Sequence, residues 1–530
     1  AYDTFYLQIC RKVFTIIRKL ALKHRDKIDL NEDESRALAY VITACFEDEV
    51  NGFGFWQALV RIHQKQFGKR LPFFSKDVLA AQEAESDDIL PADIHYLLFV
   101  NYLALANDRD EEVSVFFANP FFHETAQEIY EYLSGIDEVE TTDFYDSYLI
   151  PDDDYIDFKG KLSWFVLHGY LTGMESSLRI DNYLTRLREE KERDVHLLSS
   201  FLYAEQDRLL FEQPSRFTAF IPVDIFAEAL RCDETKKEAV KALKLRPHGV
   251  FQIQDETNEH FTFLHTATQE SFTVLKSSFS NATNLSAFEY WITTLAEWNG
   301  QYNISGLCLP VPMKAEELAD YNLQHQHEFQ RYYPPYREKL LQTADEFRDK
   351  ALQYFGNELI TFPDGAAMEQ KVNEFHEWYF TTVTEKKHVK EGMSAIKIGL
   401  PADFKKAKDV ALFLPPHDNI TFLQGHMQTL KTLQAPHPEQ ISTRERNDVL
   451  ALIAAEDVDA DYWFYLRKNH PLPNLSYLLK GNYDSDEDFE ALLRIYKPRD
   501  FSPLKLPRFT LFSSDEMPVE KVSKLLNPNK

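Results

Sequence analysis

Apolar residues recur at helical spacing through the first 245 positions of the chain. In residues 4–23, for example, Leu7, Cys10 and Phe14 fall on one face, and Arg and Lys residues fall on the opposite face. The pattern is interrupted at residues that typically end helices, such as Gly68. We therefore predict a helical domain over residues 1–245.

Two helix starts are especially well marked in this region. Asn31 is followed three positions later by Glu34, the spacing of a capping box. Asn119 and Pro120 are predicted to be the N-cap and the first residue of a helix. Proline is common at this first position, because an amide hydrogen there would have no partner within the helix. Residues 158–174 are almost wholly apolar and predict a central core helix.

The apolar period changes from about 3.6 to 2 after residue 245, which is typical of strands. Five runs show it: 249–254, 260–265, 271–277, 291–298 and 302–309. Asn299 and Gly300 separate the last two runs and form the strongest short hairpin signal, because a type I′ turn needs positive φ at both positions. The runs predict a small antiparallel β barrel or curled sheet, SH3-like or OB-like, over residues 246–312.

Helical periodicity returns in residues 313–530, with a second short β hairpin near residues 409–423. The fold class predicted by these patterns is α+β and predominantly helical. The chain then has three domains: a helical domain over 1–245, an antiparallel β unit over 246–312, and a mainly helical domain over 313–530.

Composition excludes several classes of function. Glycine is scarce, with 16 residues against an average usage of about 7%, and neither phosphate-binding glycine motif is present. The four cysteines form no C-x-x-C pair, no apolar run is long enough to cross a membrane, and no signal peptide is visible. We expect a cytoplasmic protein without a nucleotide cofactor.

Negative charge is concentrated in residues 77–158. This segment holds 22 Asp and Glu residues but only one basic residue, Arg109, so it carries −21 of the chain's net charge of −27. The charges are interleaved with helical apolar patterns, which indicates an ordered acidic face instead of a disordered tail. The alternative is a set of solvated loops, which is what most charge runs are.

An ordered acidic face predicts a basic protein partner. The residues we assign to it are Asp137, Glu138, Glu140, Asp143, Asp146, Asp152, Asp153 and Asp154. Such a face could imitate DNA and occupy a basic groove on another protein, whereas nucleic acid itself would be repelled. The favoured function is therefore non-enzymatic protein binding or scaffolding; no oligomeric state follows from the sequence.

The alternative function is a divalent-metal-dependent hydrolase. Asp152, Asp154 and Asp157 have the oxygen-rich spacing that Ca²⁺ or Mg²⁺ prefers, but the loop lacks the glycine and the final glutamate of an EF-hand. We expect a weak metal site at best and no other cofactor. No serine-hydrolase elbow or H-E-x-x-H motif is present, so the sequence favours a protein that is not an enzyme.

Two stretches carry a resemblance to a known family, FEDEVNGFGFWQALVRIHQKQFGKRLPFF and LPADIHYLLFVNYL. They resemble a family of large uncharacterised proteins, a domain of unknown function, from Bacteroides-type bacteria. The resemblance implies a bacterial cytoplasmic origin. It implies no activity and assigns no functional residues.

Overall fold

The structure is a computed structural model of the 530-residue chain. It describes residues 2–83, 89–108, 117–136, 139–189, 195–279, 289–311, 333–382, 398–418, 420–455, 457–479, 485–502 and 505–507, and the separate positions 314, 317–318, 321–322 and 483. The chain forms two compact units. The first contains the described residues from 2 to 322 and from 483 to 502, and the second contains those from 333 to 479 and from 505 to 507.

Helices account for most of the first unit. They are α1 (Tyr2–Lys23), α2 (Glu32–Asn51), α3 (Phe55–Phe67), α4 (Lys76–Glu83), α5 (Pro91–Asp108), α6 (Pro120–Leu133), α7 (Phe144–Tyr148), α8 (Tyr155–His168), α9 (Gly173–Glu189), α10 (Val195–Phe211), α11 (Pro222–Ala229) and α12 (Glu234–Ala242). A further helix of this unit, Asp486–Tyr496, comes from the end of the described chain.

Both predicted helix starts are confirmed. Asn31 Oδ1 accepts a hydrogen bond from the Glu34 amide at 2.9 Å, and the Glu34 carboxylate accepts one from the Asn31 amide at 2.7 Å. Asn119 caps α6 by one bond, in which its Oδ1 accepts from the Phe121 amide at 3.0 Å, with Pro120 in the first helical position. These bonds satisfy amides that have no partner inside the helix.

The interior of the first unit is largely aromatic. Trp56, Tyr96, Phe121 and Phe122 are among its largest fully buried side chains. Many of the rings meet edge to face, an arrangement that aligns the positive edge of one ring with the negative face of another.

Five strands of the first unit close into a small barrel. They are β1 (His248–Glu256), β2 (His260–His265), β3 (Ser271–Leu275), β4 (Tyr290–Trp298) and β5 (Gln301–Val311). Their order is β1-β2-β3-β5-β4, and β4 pairs with β1 to complete the ring. The hairpin at Asn299 and Gly300 is confirmed, with φ of 51° and 78°.

One pair in the barrel, β3 with β5, is parallel, where the sequence pattern predicted antiparallel strands throughout. The reason is geometric. Strand direction must alternate around an antiparallel ring, so a closed ring with an odd number of strands contains at least one parallel pair. Whether the barrel is SH3-like or OB-like stays a prediction.

The second unit combines helices with a three-stranded antiparallel sheet. Its helices are α13 (Pro334–Phe355), α14 (Gly365–Thr382), α15 (Ala402–Lys406), α16 (His426–Leu433), α17 (Thr443–Ala454), α18 (Ala460–Asn469) and α19 (Leu475–Leu479), which makes Asp486–Tyr496 helix α20. Strands β6 (Leu359–Phe362), β7 (Val410–Phe413) and β8 (Thr421–Gln424) lie in that order. The predicted hairpin near 409–423 is thus confirmed as β7 and β8.

The predominantly helical α+β fold class is confirmed by these elements. The three-domain division at residues 245 and 312 stays a prediction. Among the described residues, no helix is both long enough and apolar enough to cross a bilayer.

Candidate partner-binding surface

The predicted acidic face lies on α7, on the loops beside it and on the first turn of α8. Asp137 and Glu138 lie outside the described residues. The loop before α7 is held by the first two helices. Tyr6 donates its hydroxyl hydrogen to the Glu140 carbonyl at 2.8 Å, and Asn51 Oδ1 accepts from the Thr142 amide at 2.7 Å.

Helix α7 and the loop after it pack against α8. Lys161 Nζ donates to the carbonyls of Ser147 at 3.1 Å and Ile150 at 3.0 Å. The rings of Tyr145 and Trp164 lie 6.2 Å apart. Helix α7 and the loop after it therefore lie against α8 at Lys161 and Trp164.

The aspartates at the start of α8 make contacts inside the chain. Asp152 forms an ion pair with Lys161 at 2.9 Å. The Asp153 carbonyl accepts hydrogen bonds from Trp298 Nε1 and Asn299 Nδ2, both at 3.0 Å, which fixes this loop on the β4–β5 hairpin.

Asp154 is the N-cap of α8. Its Oδ1 accepts hydrogen bonds from the amides of Ile156 at 2.8 Å and Asp157 at 3.1 Å. In the described part of the chain, no group of three or more His, Cys, Asp or Glu side chains is arranged to hold a metal ion. The metal site at Asp152, Asp154 and Asp157 stays a prediction, and the contacts of Asp154 account for its position without a metal.

Replacement of Asp154 by alanine is expected to lower the free energy of unfolding by about 1 kcal/mol, because two amides at the start of α8 lose their acceptor. The loss should be the same with and without millimolar Mg²⁺ or Ca²⁺ in a chemical denaturation experiment. A loss that grows when the metal is added would identify Asp154 as a ligand.

Several carboxylates of this surface point into solvent. Glu140, Asp143, Asp153 and Asp157 are exposed. Asp146 forms an ion pair with Arg231. In the region that the structure describes, no Lys or Arg side chain forms an ion pair with Glu140, Asp143 or Asp157. The negative charge at these positions is therefore available to a partner.

Large apolar side chains are exposed between these carboxylates. Phe144 is 65% exposed, Ile156 52% and Trp164 40%, and Val139 and Ile150 are exposed as well. These are five of the thirteen exposed large apolar side chains among the described residues. Concentration of such side chains in one short stretch is typical of interaction sites, whereas single exposed apolar residues are common everywhere.

This exposure corrects one expectation from the sequence. The apolar run over 158–174 predicted a core helix, but α8 ends at His168 and buries only one side. Phe158 is fully buried and stacks on Trp298 of the barrel at 4.2 Å, whereas Trp164 faces outward. We define the acidic–apolar surface by its exposed residues: Val139, Glu140, Asp143, Phe144, Asp146, Ile150, Asp153, Ile156, Asp157 and Trp164.

Tyr145 lies beside this surface and has a raised pKa. Burial and the nearby Glu47 carboxylate raise the pKa of Tyr145 to about 12. Burial also raises the pKa of Glu47 itself. Tyr145 is a neutral phenol at physiological pH, as a tyrosine with an ordinary pKa of about 10 would also be.

The comparisons with known proteins concern the part of the chain that carries this surface. Residues 1–244 match the model of a family described as a protein of unknown function (DUF3843). The match includes all twelve helices from α1 to α12 and ends just before β1. No curated protein and no solved structure matches the chain. The resemblance to a domain of unknown function is confirmed for these residues, and the bacterial origin stays a prediction.

A second group of polar side chains, which the sequence did not indicate, is buried between α8, α10 and β5. Lys159 Nζ lies 2.5 Å from Asp207 Oδ1, and Arg246 forms an ion pair with the same carboxylate. Ser305 Oγ donates to Asp207 at 2.9 Å and lies 2.7 Å from the hydroxyl of Tyr155. We call these five residues the buried ion cluster.

The charged groups of the buried ion cluster stabilise one another in their ionised forms. Burial opposes the charge of Lys159, but the Asp207 carboxylate outweighs this effect and raises the pKa of the ammonium group. In the same way, Arg246 and Lys159 outweigh the effect of burial and lower the pKa of Asp207.

Proposed function

We propose that this protein binds a basic segment of another protein through the acidic–apolar surface. The observation that carries the proposal is the exposure of Phe144, Ile156 and Trp164 among carboxylates. A merely solvated acidic loop would leave its apolar side chains buried and expose only the charges. Here both kinds of side chain face solvent together.

The two kinds of side chain have separate roles in binding. Apolar and aromatic side chains at the centre of an interface supply most of the affinity when they are removed from water. Carboxylates around them attract a cationic partner and align it, mainly by raising the association rate. A surface with both features favours a partner that carries Lys or Arg beside apolar residues. It favours less a DNA-binding groove whose surface is purely charged.

The proposal is tested with a variant that removes three free charges, Glu140→Gln, Asp143→Asn and Asp157→Asn. A matched control removes three exposed charges from the barrel, Asp255→Asn, Glu259→Gln and Glu270→Gln. Each tagged protein is incubated with a cell lysate at low salt, and the captured proteins are identified and quantified by mass spectrometry.

We expect the wild-type protein and the barrel control to capture the same basic proteins and the surface variant to capture at least tenfold less. Release should occur at about 0.5 M salt, where the Debye length falls to roughly 4 Å. Equal capture by the surface variant and the control, or capture that salt does not weaken, would contradict the proposal.

A further inference from the structure

The exposed side of α8 presents a continuous apolar line. Ile156, Gly160 and Trp164 lie four residues apart, so they occupy successive turns on one side of the helix. Gly160 is exposed, and a Cβ added there would meet no atom within 4 Å. Gly160 therefore leaves a shallow notch in this line, between Ile156 and Trp164.

Most of the charged side chains around this line are negative. Asp153 and Asp157 lie at its N-terminal end, and Asp143 lies beside the rings of α7. Three lysines lie near these carboxylates. Lys236 of α12 interacts with Asp153 and is held by Asn299 Oδ1 at 2.7 Å, and the other two belong to α8. Lys159 is buried in the ion cluster, and Lys161 is held by Asp152 and two carbonyls. A ligand that approaches along α8 therefore meets carboxylates and apolar side chains.

We propose that the ligand of this face is a cationic amphipathic helix of a partner protein. Its apolar side packs on Ile156 and Trp164, its backbone comes closest at Gly160, and its Lys or Arg side chains pair with the flanking aspartates. This inference rests on the function proposed above and specifies which part of the surface makes the contact and what shape of partner it accepts.

The dimensions of the line favour a helix over an extended chain. Ile156 and Trp164 are eight residues apart, which corresponds to about 12 Å along an α-helix. Apolar side chains placed one and two turns apart on a partner helix cover a similar length. A residue without a side chain at the centre allows two helices to approach to the short end of the usual range of about 8–10 Å between axes. The charge excludes other ligands of similar size, because phosphates of nucleic acids and of anionic lipids would be repelled.

The test uses two synthetic peptides of equal length and charge. One alternates leucine and lysine with helical spacing and forms an amphipathic helix, and the other replaces every leucine with glycine. Their affinities for the full-length protein are measured by isothermal titration calorimetry at low salt. The wild-type protein is expected to bind the leucine–lysine peptide at least tenfold more tightly than the glycine–lysine peptide.

Three variants locate the site. Gly160→Arg fills the notch and adds a repulsive charge, whereas Gly160→Ala adds one methyl group where nothing is in contact. Both residues have a higher helix propensity than glycine, so neither change should unfold α8. Asn258→Arg places the same added charge on the exposed β1–β2 turn of the barrel.

We expect Gly160→Arg to abolish the preference for the leucine–lysine peptide, Gly160→Ala to reduce it by less, and Asn258→Arg to retain it. A preference that survives in Gly160→Arg, or equal binding of the two peptides to the wild-type protein, would overturn the inference. The function proposed above is judged separately. If lysate capture still depends on the three carboxylates while Gly160→Arg captures the same proteins as the wild type, the acidic–apolar surface is used but its partner does not lie along α8.

Discussion

Replacement of Asp207 by alanine is expected to lower the free energy of unfolding by about 3–5 kcal/mol, the cost of removing one partner from a buried ion pair. Lys159 and Arg246 share this carboxylate, and both side chains are almost fully buried. Without Asp207, the ammonium of Lys159 would stay in a low-dielectric environment with only hydroxyl groups as partners.

The measurement is urea unfolding monitored by far-UV circular dichroism. The control is Arg36→Ala, which breaks an exposed ion pair with Glu32 on α2 and should cost less than about 1 kcal/mol. If Asp207→Ala cost no more than this control, the buried ion cluster would not stabilise the junction between the helices and the barrel.

Acidification is the second change with a large expected effect. His63, His95 and His265 are buried, and burial lowers the pKa of each to about 4. An unfolded chain binds protons at histidine below about pH 6.5, but the folded protein does not bind them at these sites until about pH 4. Stability from these groups is therefore fully present above pH 6.5 and is lost as the pH falls towards 4.

The expected loss is about 3 kcal/mol for each histidine, because one pKa unit corresponds to about 1.4 kcal/mol. Glu49 acts in the opposite direction. Burial raises its pKa to about 7, so its contribution to stability is greatest at low pH and is lost as the pH rises through 7. Burial also raises the pKa of Glu47, Asp48, Asp93, Glu205 and Asp224, so these carboxyl groups oppose the histidines as well. We expect acid to destabilise the protein on balance because the pKa shifts of the three histidines are large.

Two variants separate these effects in urea unfolding between pH 7 and pH 4. His95→Gln keeps a donor for the Phe117 carbonyl, which His95 contacts at 2.8 Å, but cannot be protonated. It should reduce the dependence of stability on pH, and Glu49→Gln should increase it. A wild-type protein that is equally stable at both ends of this range would show that the buried histidines do not govern its response to acid.

The candidate surface was only partly visible in the sequence. The acidic stretch itself was visible, because charge content does not depend on folding, and its role in binding stays a prediction. The role of each residue within it was not visible. Asp152 and Asp154, both proposed as metal ligands, make an ion pair and a helix cap. Neither contact can be distinguished from metal binding by spacing alone.

Nothing in the sequence indicates that the aromatic rings of α7 and α8 are exposed or that the buried ion cluster forms. Trp164 and Phe158 belong to the same apolar run, yet one faces solvent and the other packs on the barrel. Asp207 and Arg246 are separated by 39 positions, and neither lies in a motif. These charges lie where the helices meet the barrel. The sequence alone does not show which residues meet there.

The amino-acid sequence by itself therefore determined the helix starts, the hairpin turns and the fold class. Caps and turns are made by residues that are close together in the sequence. Only the tertiary structure decided which side of α8 is buried and which carboxylates remain available. It also decided how five strands close into a barrel with one parallel pair. These outcomes depend on contacts between residues far apart in the chain, and such contacts exist only once the elements have packed.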